Sequence, residues 1–311
     1  MKCSDMSYII MVILVVMGVV GLLPGVGQAQ PLHGVAAGVM PVLNRSHPLL
    51  RDIRGWWTSL PGLAPGNGWI DIVNRQDGTL YGMTYGGTKG WQATDRRGGY
   101  LHMAYNNDGV GYVAVPHAPN LTFASTEPFT LAIWYQGGFV NATAIIQKVT
   151  AAGNWPGYTF LVGGGAAGVL RIELTDDVSA ALYCVGTTAV QGATTGINGP
   201  WHHLVGRYDG SGVASGLTLA IDGQPEPCTP SGGPITGSTL STGPIQLGNA
   251  GYIQADLNDF RLWGRVLSDG EVAFLYQQSL LGDPALLSPP QGQVVLAPVA
   301  GHPGAFFPWF R

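Results

Sequence analysis

Four stretches hold side chains able to do chemistry, and they ask for different chemistries. WHHLVGRYDG (201–210) runs Trp201 into His202 and His203, a pairing that a metal or a proton shuttle could use. NNDG (106–109) and DLND (256–259) are rich in hard oxygen donors, the ligands Ca2+ takes from loops. Asp108, Asp256 and Asp259 are the candidate metal ligands there, with Asn107 beside them as a ligand-binding residue and Asp71 and Asn74 as outliers. GNWPGY (153–158) and NAGY (249–252) set Trp155, Tyr158 and Tyr252 in loop-like surroundings, where exposed rings can stack on the C–H faces of a sugar. Plain turn formation, with Asn or Asp preceding Gly, is the competing explanation for 106–109.

The elements that must position these residues are mostly strands. FTLAIWY (129–135) puts Phe129, Leu131, Ile133 and Tyr135 on one face, and LTLAIDG (217–223) does the same with Leu217, Leu219 and Ile221. Such alternation marks strands with one face buried. Asp-Gly recurs at 77–78, 209–210 and 222–223, where glycine supplies the positive φ that tight turns need. Neighbours in a strand point to opposite faces. His202 therefore falls with Leu204 and Tyr208, and His203 with Trp201 and Val205. The two histidines cannot easily meet on one metal, and both read as scaffold. Asp176-Asp177, between two strand-like runs, reads as a solvated hairpin tip.

One segment breaks the β pattern. In LSDGEVAFLYQQ (267–278), Ser268 and Glu271 form a capping box, and Leu267 and Val272 a hydrophobic staple across it. Val272, Leu275 and Tyr276 continue as an apolar stripe, so a short helix is expected to pack over one edge of the sheets. Residues 279–311 form a Pro-rich tail ending in FFPWF and Arg311, expected to dock on the domain or stay mobile.

Composition narrows the classes. The chain is 46% hydrophobic and 10% charged, with 48 glycines and 22 prolines, which suits many short strands joined by turns. A net charge of −4 with three lysines excludes a nucleic-acid footprint. Lys2, the apolar run Ile9 to Leu23, and Gly27 and Ala29 ahead of Gln30 read as a signal peptide over 1–29. An uncleaved membrane anchor is the alternative; after cleavage no stable membrane span remains. Cleavage also removes Cys3 and leaves Cys184 and Cys228, an even pair expected to form a disulfide in an oxidising compartment.

An enzyme needs placed acids, an activated nucleophile or a metal triad. The four glutamates, Glu127, Glu173, Glu226 and Glu271, stand far apart, and Glu271 is assigned to the cap. Closely spaced acids of the kind glucanases use are absent from the sequence, as are G-x-S-x-G, H-E-x-x-H and a P-loop.

A run of motifs carries a resemblance: DGTLYG (77–82), GGYLHMAYNNDGVGYVAVP (98–116), FTLAIWY, AIIQKV (144–149), GVLRIEL (168–174), WHHLVGRYDG, LTLAIDGQP (217–225) and IQLGNAGYIQADLNDFRLWGRVLSDGEVAFLY (245–276). The chain resembles the LamG-like, concanavalin A-like lectin/glucanase superfamily in its bacterial and phage branch, over residues 51–278. The lead-in, residues 30–50, and the stretch LNRSHPLLRDIRGWW (43–57) look like what precedes this domain in bacterial and phage surface proteins. The resemblance implies an all-β jelly-roll sandwich of two antiparallel sheets with one short C-terminal helix. It also implies a Ca2+ site, which many members carry, and marks the WHHLVGRYDG strand as architectural. The expected protein is a non-enzymatic, secreted or cell-surface module recognising carbohydrate or a protein surface, with Ca2+ as its candidate cofactor. A virion structural or decoration protein is the rival reading, and a glycoside hydrolase the third.

Overall fold

The computed structural model describes residues 42–58, 68–83, 90–92, 99–103, 111–137, 143–151, 153–164, 166–192, 197, 199–248, 253–278 and 287–288. In chain order the strands are β1 (Val42–Leu43), β2 (Ile53–Trp57), β3 (Gly68–Trp69), β4 (Gly78–Tyr81), β5 (Gly90–Gln92), β6 (Tyr100–Met103) and β7 (Tyr112–Val115). They continue with β8 (Phe129–Gly137), β9 (Thr143–Val149), β10 (Gly157–Gly164), β11 (Ala166–Thr175), β12 (Ala181–Ala189) and β13 (Trp201–Tyr208). The last are β14 (Leu217–Ile221), β15 (Gln224–Glu226), β16 (Cys228–Gly232), β17 (Ile245–Leu247), β18 (Ala255–Trp263) and β19 (Leu287–Ser288). Helix α1 (Asp269–Gln278) lies between β18 and β19.

Two antiparallel sheets face each other. One has nine strands in the order β16–β12–β11–β10–β9–β17–β7–β4–β3. The other has eight, β15–β14–β13–β8–β18–β6–β5 with β2 also paired to β18. Their inner faces form the main core, and the alternation predicted from sequence holds. Phe129, Leu131, Ile133 and Tyr135 of β8, and Leu217, Leu219 and Ile221 of β14, all lie in it. Cys184 of β12 and Cys228 of β16 are joined by a disulfide, with Cα atoms 5.6 Å apart, inside the range a bridge requires.

The outer face of the eight-stranded sheet carries a second core. Ala132, Val205, Ala220 and Trp263 meet Leu49 and Leu50 from the lead-in and Val272 and Leu275 from α1. Trp263 Nε1 donates to the Leu49 carbonyl at 2.7 Å, tying residues before Arg51 into the domain. The helix thus covers a sheet face rather than an edge. Its cap is the predicted one: Ser268 N–H donates to Glu271 Oε2 at 2.9 Å, and Glu271 N–H to Ser268 Oγ at 3.3 Å. Strand β18 serves two partners on one side, β6 with its first half and β2 with its second. The change occurs at Asp259, whose φ is +53°.

Candidate functional site

The outer face of the nine-stranded sheet differs from its counterpart: among the described residues no helix is packed over it. Cross-strand register sets one residue from each of eight strands in a single transverse row. The row runs Thr79, Ala114, Gln246, Gln147, Thr159, Glu173, Tyr183, Ser231. Inner-facing neighbours such as Val113, Tyr158, Ile172 and Leu182 are buried in the core, so pleating turns the row outward. Eight adjacent strands span about 34 Å at ~4.8 Å per step.

The row is built for hydrogen bonding. Gln147 Nε2 donates to Gln246 Oε1 at 2.5 Å, aligning two amides across the sheet. Arg171 Nη2 meets Glu173 Oε2 at 2.6 Å, and the same guanidinium lies 4.3 Å from the Tyr183 ring centroid. Ser231 Oγ donates to Tyr183 Oη at 3.1 Å. One step towards the other end of β4 and β7, Tyr81 and Tyr112 stack with centroids 4.8 Å apart and planes 12° from parallel. Of the acidic residues only Glu173 lies in this row, and it is paired with a cation.

The predicted site residues have separate fates. Asn107, Asp108 and Tyr252 lie outside the described residues. Trp155 is exposed, 55% of its surface open to solvent, with φ at +59°. Tyr158, expected in a loop, is a correction: it is buried on the inner face and donates to the Leu121 carbonyl at 3.0 Å. Gly157 already pairs with Val149, so β10 begins before Tyr158 and turns the ring inward.

Asp256 and Asp259 are both buried and engaged internally. Asp256 Oδ1 is 2.7 Å from His102 Nδ1, and burial raises its pKa against the pull of that imidazole. Asp259 accepts from Trp56 Nε1 and from Arg261 Nε and Nη2, the last at 2.7 Å. Asp71 accepts backbone N–H groups from Trp56, Val73, Asn74 and Gln76. Asp176 is likewise a correction, being buried rather than solvated. It accepts N–H groups of Val178, Ala180, Thr236 and Gly237. Burial would raise its pKa, but those four backbone bonds bring it below the usual value. Among the described residues no three His, Cys, Asp or Glu side chains converge as a metal site.

The strand ends also separate the predicted loops. Met103 pairs with Ala255, and Leu247 with Val113. The strands flanking 104–110 and 249–252 therefore end together. Trp155 follows β9, whose Lys148 pairs with Ile245 at the start of β17; it stands at the opposite end of the sandwich.

The two histidines of β13 diverge as expected. His202 Nδ1 lies 2.8 Å from Asp222 Oδ2, while His203 N–H donates to Asp222 Oδ1. Asp222 and Gly223 have φ of +51° and +78°, a two-residue hairpin turn. The His203 ring is buried beside Trp134, centroids 5.2 Å apart. Burial, then the Arg261 charge, push its pKa down to about 3 against the attraction of Asp222.

What the strand-by-strand reading missed is the row itself. Outward polar residues are the rule in any half-buried strand, and only register across eight strands makes them a continuous feature.

Comparison with known proteins agrees with this architecture. A family model for the concanavalin A-like lectin/glucanases superfamily matches residues 107–273, more than half of the chain, and the chain belongs to that family. No curated protein matches the sequence. Among solved structures, the binding domain of Paraclostridial mosquitocidal protein 1 superposes with a TM-score of 0.53 at 13% identity, over 75% of this chain and 55% of that one. The botulinum neurotoxin serotype D/C binding domain gives 0.55 at 15%, over 74% and 52%. The binding domain of botulinum neurotoxin DC, in complex with rat synaptotagmin II, gives 0.54 at 14%, over 74% and 52%. This chain spans about half the length of those it matches, and at such identities the likeness is one of fold.

Proposed function

We propose that this chain is an exported, non-enzymatic binding module that lays an extended carbohydrate across the outer face of its nine-stranded sheet. The observation that carries the reading is the transverse row from Thr79 to Ser231, with amides, hydroxyls and one ion pair in register. The Tyr81–Tyr112 stack beside it offers an aromatic platform for sugar C–H faces. Hydrolysis of a glycosidic bond generally takes two carboxyl groups flanking it; Glu173 alone, paired to Arg171, supplies one. The superfamily membership and the binding domains of the same fold support recognition over catalysis. The Cys184–Cys228 bridge supports an oxidising, extracellular compartment. Ca2+ enters the proposal through Asp108 with Asn107, since Asp256 and Asp259 already hold internal partners.

A glycan array probed with and without Ca2+ identifies the sugar class. Calorimetry on the best ligand then compares Tyr112→Ala and Gln147→Ala with Trp155→Ala. The sheet-face reading expects the first two to lose affinity by about tenfold each, on the scale of one stacking or paired polar contact, and the third to bind normally. Loss confined to Trp155→Ala moves the site to the loops. No glycan binding, with self-association of the chain, favours the virion decoration role.

A further inference from the structure

Four loops meet at the end of the sandwich where β9 passes to β10. They are residues 153–156, the β11–β12 hairpin tip at 176–180, the segment 209–216 after β13, and 233–244 after β16. Each raises one large apolar side chain into solvent: Trp155 at 55% exposure, Val178 at 59%, Val213 at 43% and Leu240 at 51%. Tyr81, Val266 and Tyr276 are the other large apolar residues exposed among those described, so most of this surface is concentrated here.

The loops are tied to one another. Asn154 Nδ2 donates to the Asp177 carbonyl at 2.6 Å. Asp177 N–H donates to the Ser238 carbonyl at 2.9 Å, and Ser238 N–H returns to Asp177 Oδ1 at 2.8 Å. Ile235 N–H reaches the Gly212 carbonyl at 3.3 Å. Trp155 is held out by backbone geometry that costs energy: a bulky residue at φ +59° directly before Pro156. Exposing an indole under strain makes sense when something receives it.

Charge says what that receiver is. No Arg or Lys occurs in residues 116–128, 150–156, 176–180, 209–216 or 233–244. Among the described residues the one lysine, Lys148, is buried and donates to the Gly243 carbonyl. The carboxylates of Asp176 and Asp177 accept backbone N–H groups of Gly237 and Ser238 in the neighbouring loop, and that of Asp209 accepts from Ser211 in its own. The tips are therefore apolar, without the cations an anionic membrane selects. Four separate projections also fit a deformable surface better than a rigid pocket.

We propose that this end of the sandwich docks on a lipid surface with zwitterionic headgroups, with Trp155, Val178 and Leu240 entering the interface. Tryptophan favours that depth because its body is apolar and its N–H can stay wet. Affinity there grows with the apolar area buried. The surface is distinct from the sheet face assigned to glycan, so the two readings fail independently.

The test uses the full chain and phosphatidylcholine vesicles carrying brominated acyl chains, which quench indoles that enter the bilayer. Wild type is compared with Trp155→Phe, so the difference reports Trp155 whatever other segments touch the vesicle. The expected result is a quenched component lost in Trp155→Phe, insensitive to salt and not increased by phosphatidylserine. Val178→Ser or Leu240→Ser should weaken it about tenfold each, the scale of one buried aliphatic side chain, with unchanged melting temperature. Equal quenching in wild type and Trp155→Phe overturns the proposal, whether or not the vesicles bind. A response that requires phosphatidylserine and vanishes in salt overturns it too, because an anionic headgroup is then what binds; with no Trp155-dependent quenching, an apolar protein surface becomes the partner to seek.

Discussion

At His203 the ring packs against Trp134 and Tyr276, and Nδ1 has no hydrogen-bond partner among the described residues. With the folded pKa near 3 and the unfolded value near 6.5, the unfolded chain takes up this proton first. Stability must therefore fall as pH drops from about 6.5 to about 3. His203→Phe keeps an aromatic ring in the site and removes the titration. Its melting temperature is expected to fall less than that of wild type between neutral pH and about pH 4. Parallel curves would show that the His203 imidazole protonates freely in the fold. The opposite-face placement of the two histidines was legible from strand pleating alone. The Asp222 carboxylate that holds both was not, because it comes from the β14–β15 turn and meets them only through register.

The capping of α1 shows how far local pattern reaches at the scale of one element. Burial alone would raise the Glu271 pKa. Hydrogen bonds from Arg265 and Ser268, with the Arg265 charge, bring it down to about 2. Both Arg265 Nη atoms lie within 2.9 Å of the carboxylate. This contribution is complete above the unfolded value of about 4.5 and is lost as pH falls through about 2. Glu271→Gln is expected to cost about 1–2 kcal/mol at neutral pH, the scale of a cap plus a charge-assisted bond. Denaturant melts should show that cost shrinking as the medium is acidified. The cap and staple could be read from six residues, Leu267 to Val272. What the helix covers could not, since β8 is buried on both faces and its sequence marks only the stronger one. GNWPGY misled for a related reason. A side chain at Gly157 would strike the Lys148 carbonyl; glycine there marks close strand pairing, not a longer loop. The disulfide ties β16 to β12 along the margin of the nine-stranded sheet, where β16 has no outer neighbour among the described strands. Reducing it is expected to lower unfolding free energy by roughly 3–4 kcal/mol on the chain-entropy model, read as a lower denaturant midpoint in the presence of dithiothreitol.

Across the whole molecule the two sheets have unequal duties. The eight-stranded sheet gives its outer face to a second core of lead-in, helix and strand. Among the described residues, the nine-stranded sheet has no helix over its outer face, and hydrogen-bonding groups are aligned across it. A row that crosses strands makes a demand a pocket does not. Each additional sugar ring can meet side chains of another strand, because the strand step of ~4.8 Å is close to the length of an extended pyranose unit. Affinity for oligosaccharides of the recognised glycan should therefore rise with chain length until the oligomer crosses from β4 to β16, and then level off. The gain should be mostly in slower dissociation. Calorimetry on a length series checks this. Tyr112→Ala should weaken only oligomers long enough to reach β7, whichever strand the shortest ones occupy. An affinity that is already maximal for a disaccharide would mean a compact pocket, and the row from Thr79 to Ser231 would then be ordinary strand surface.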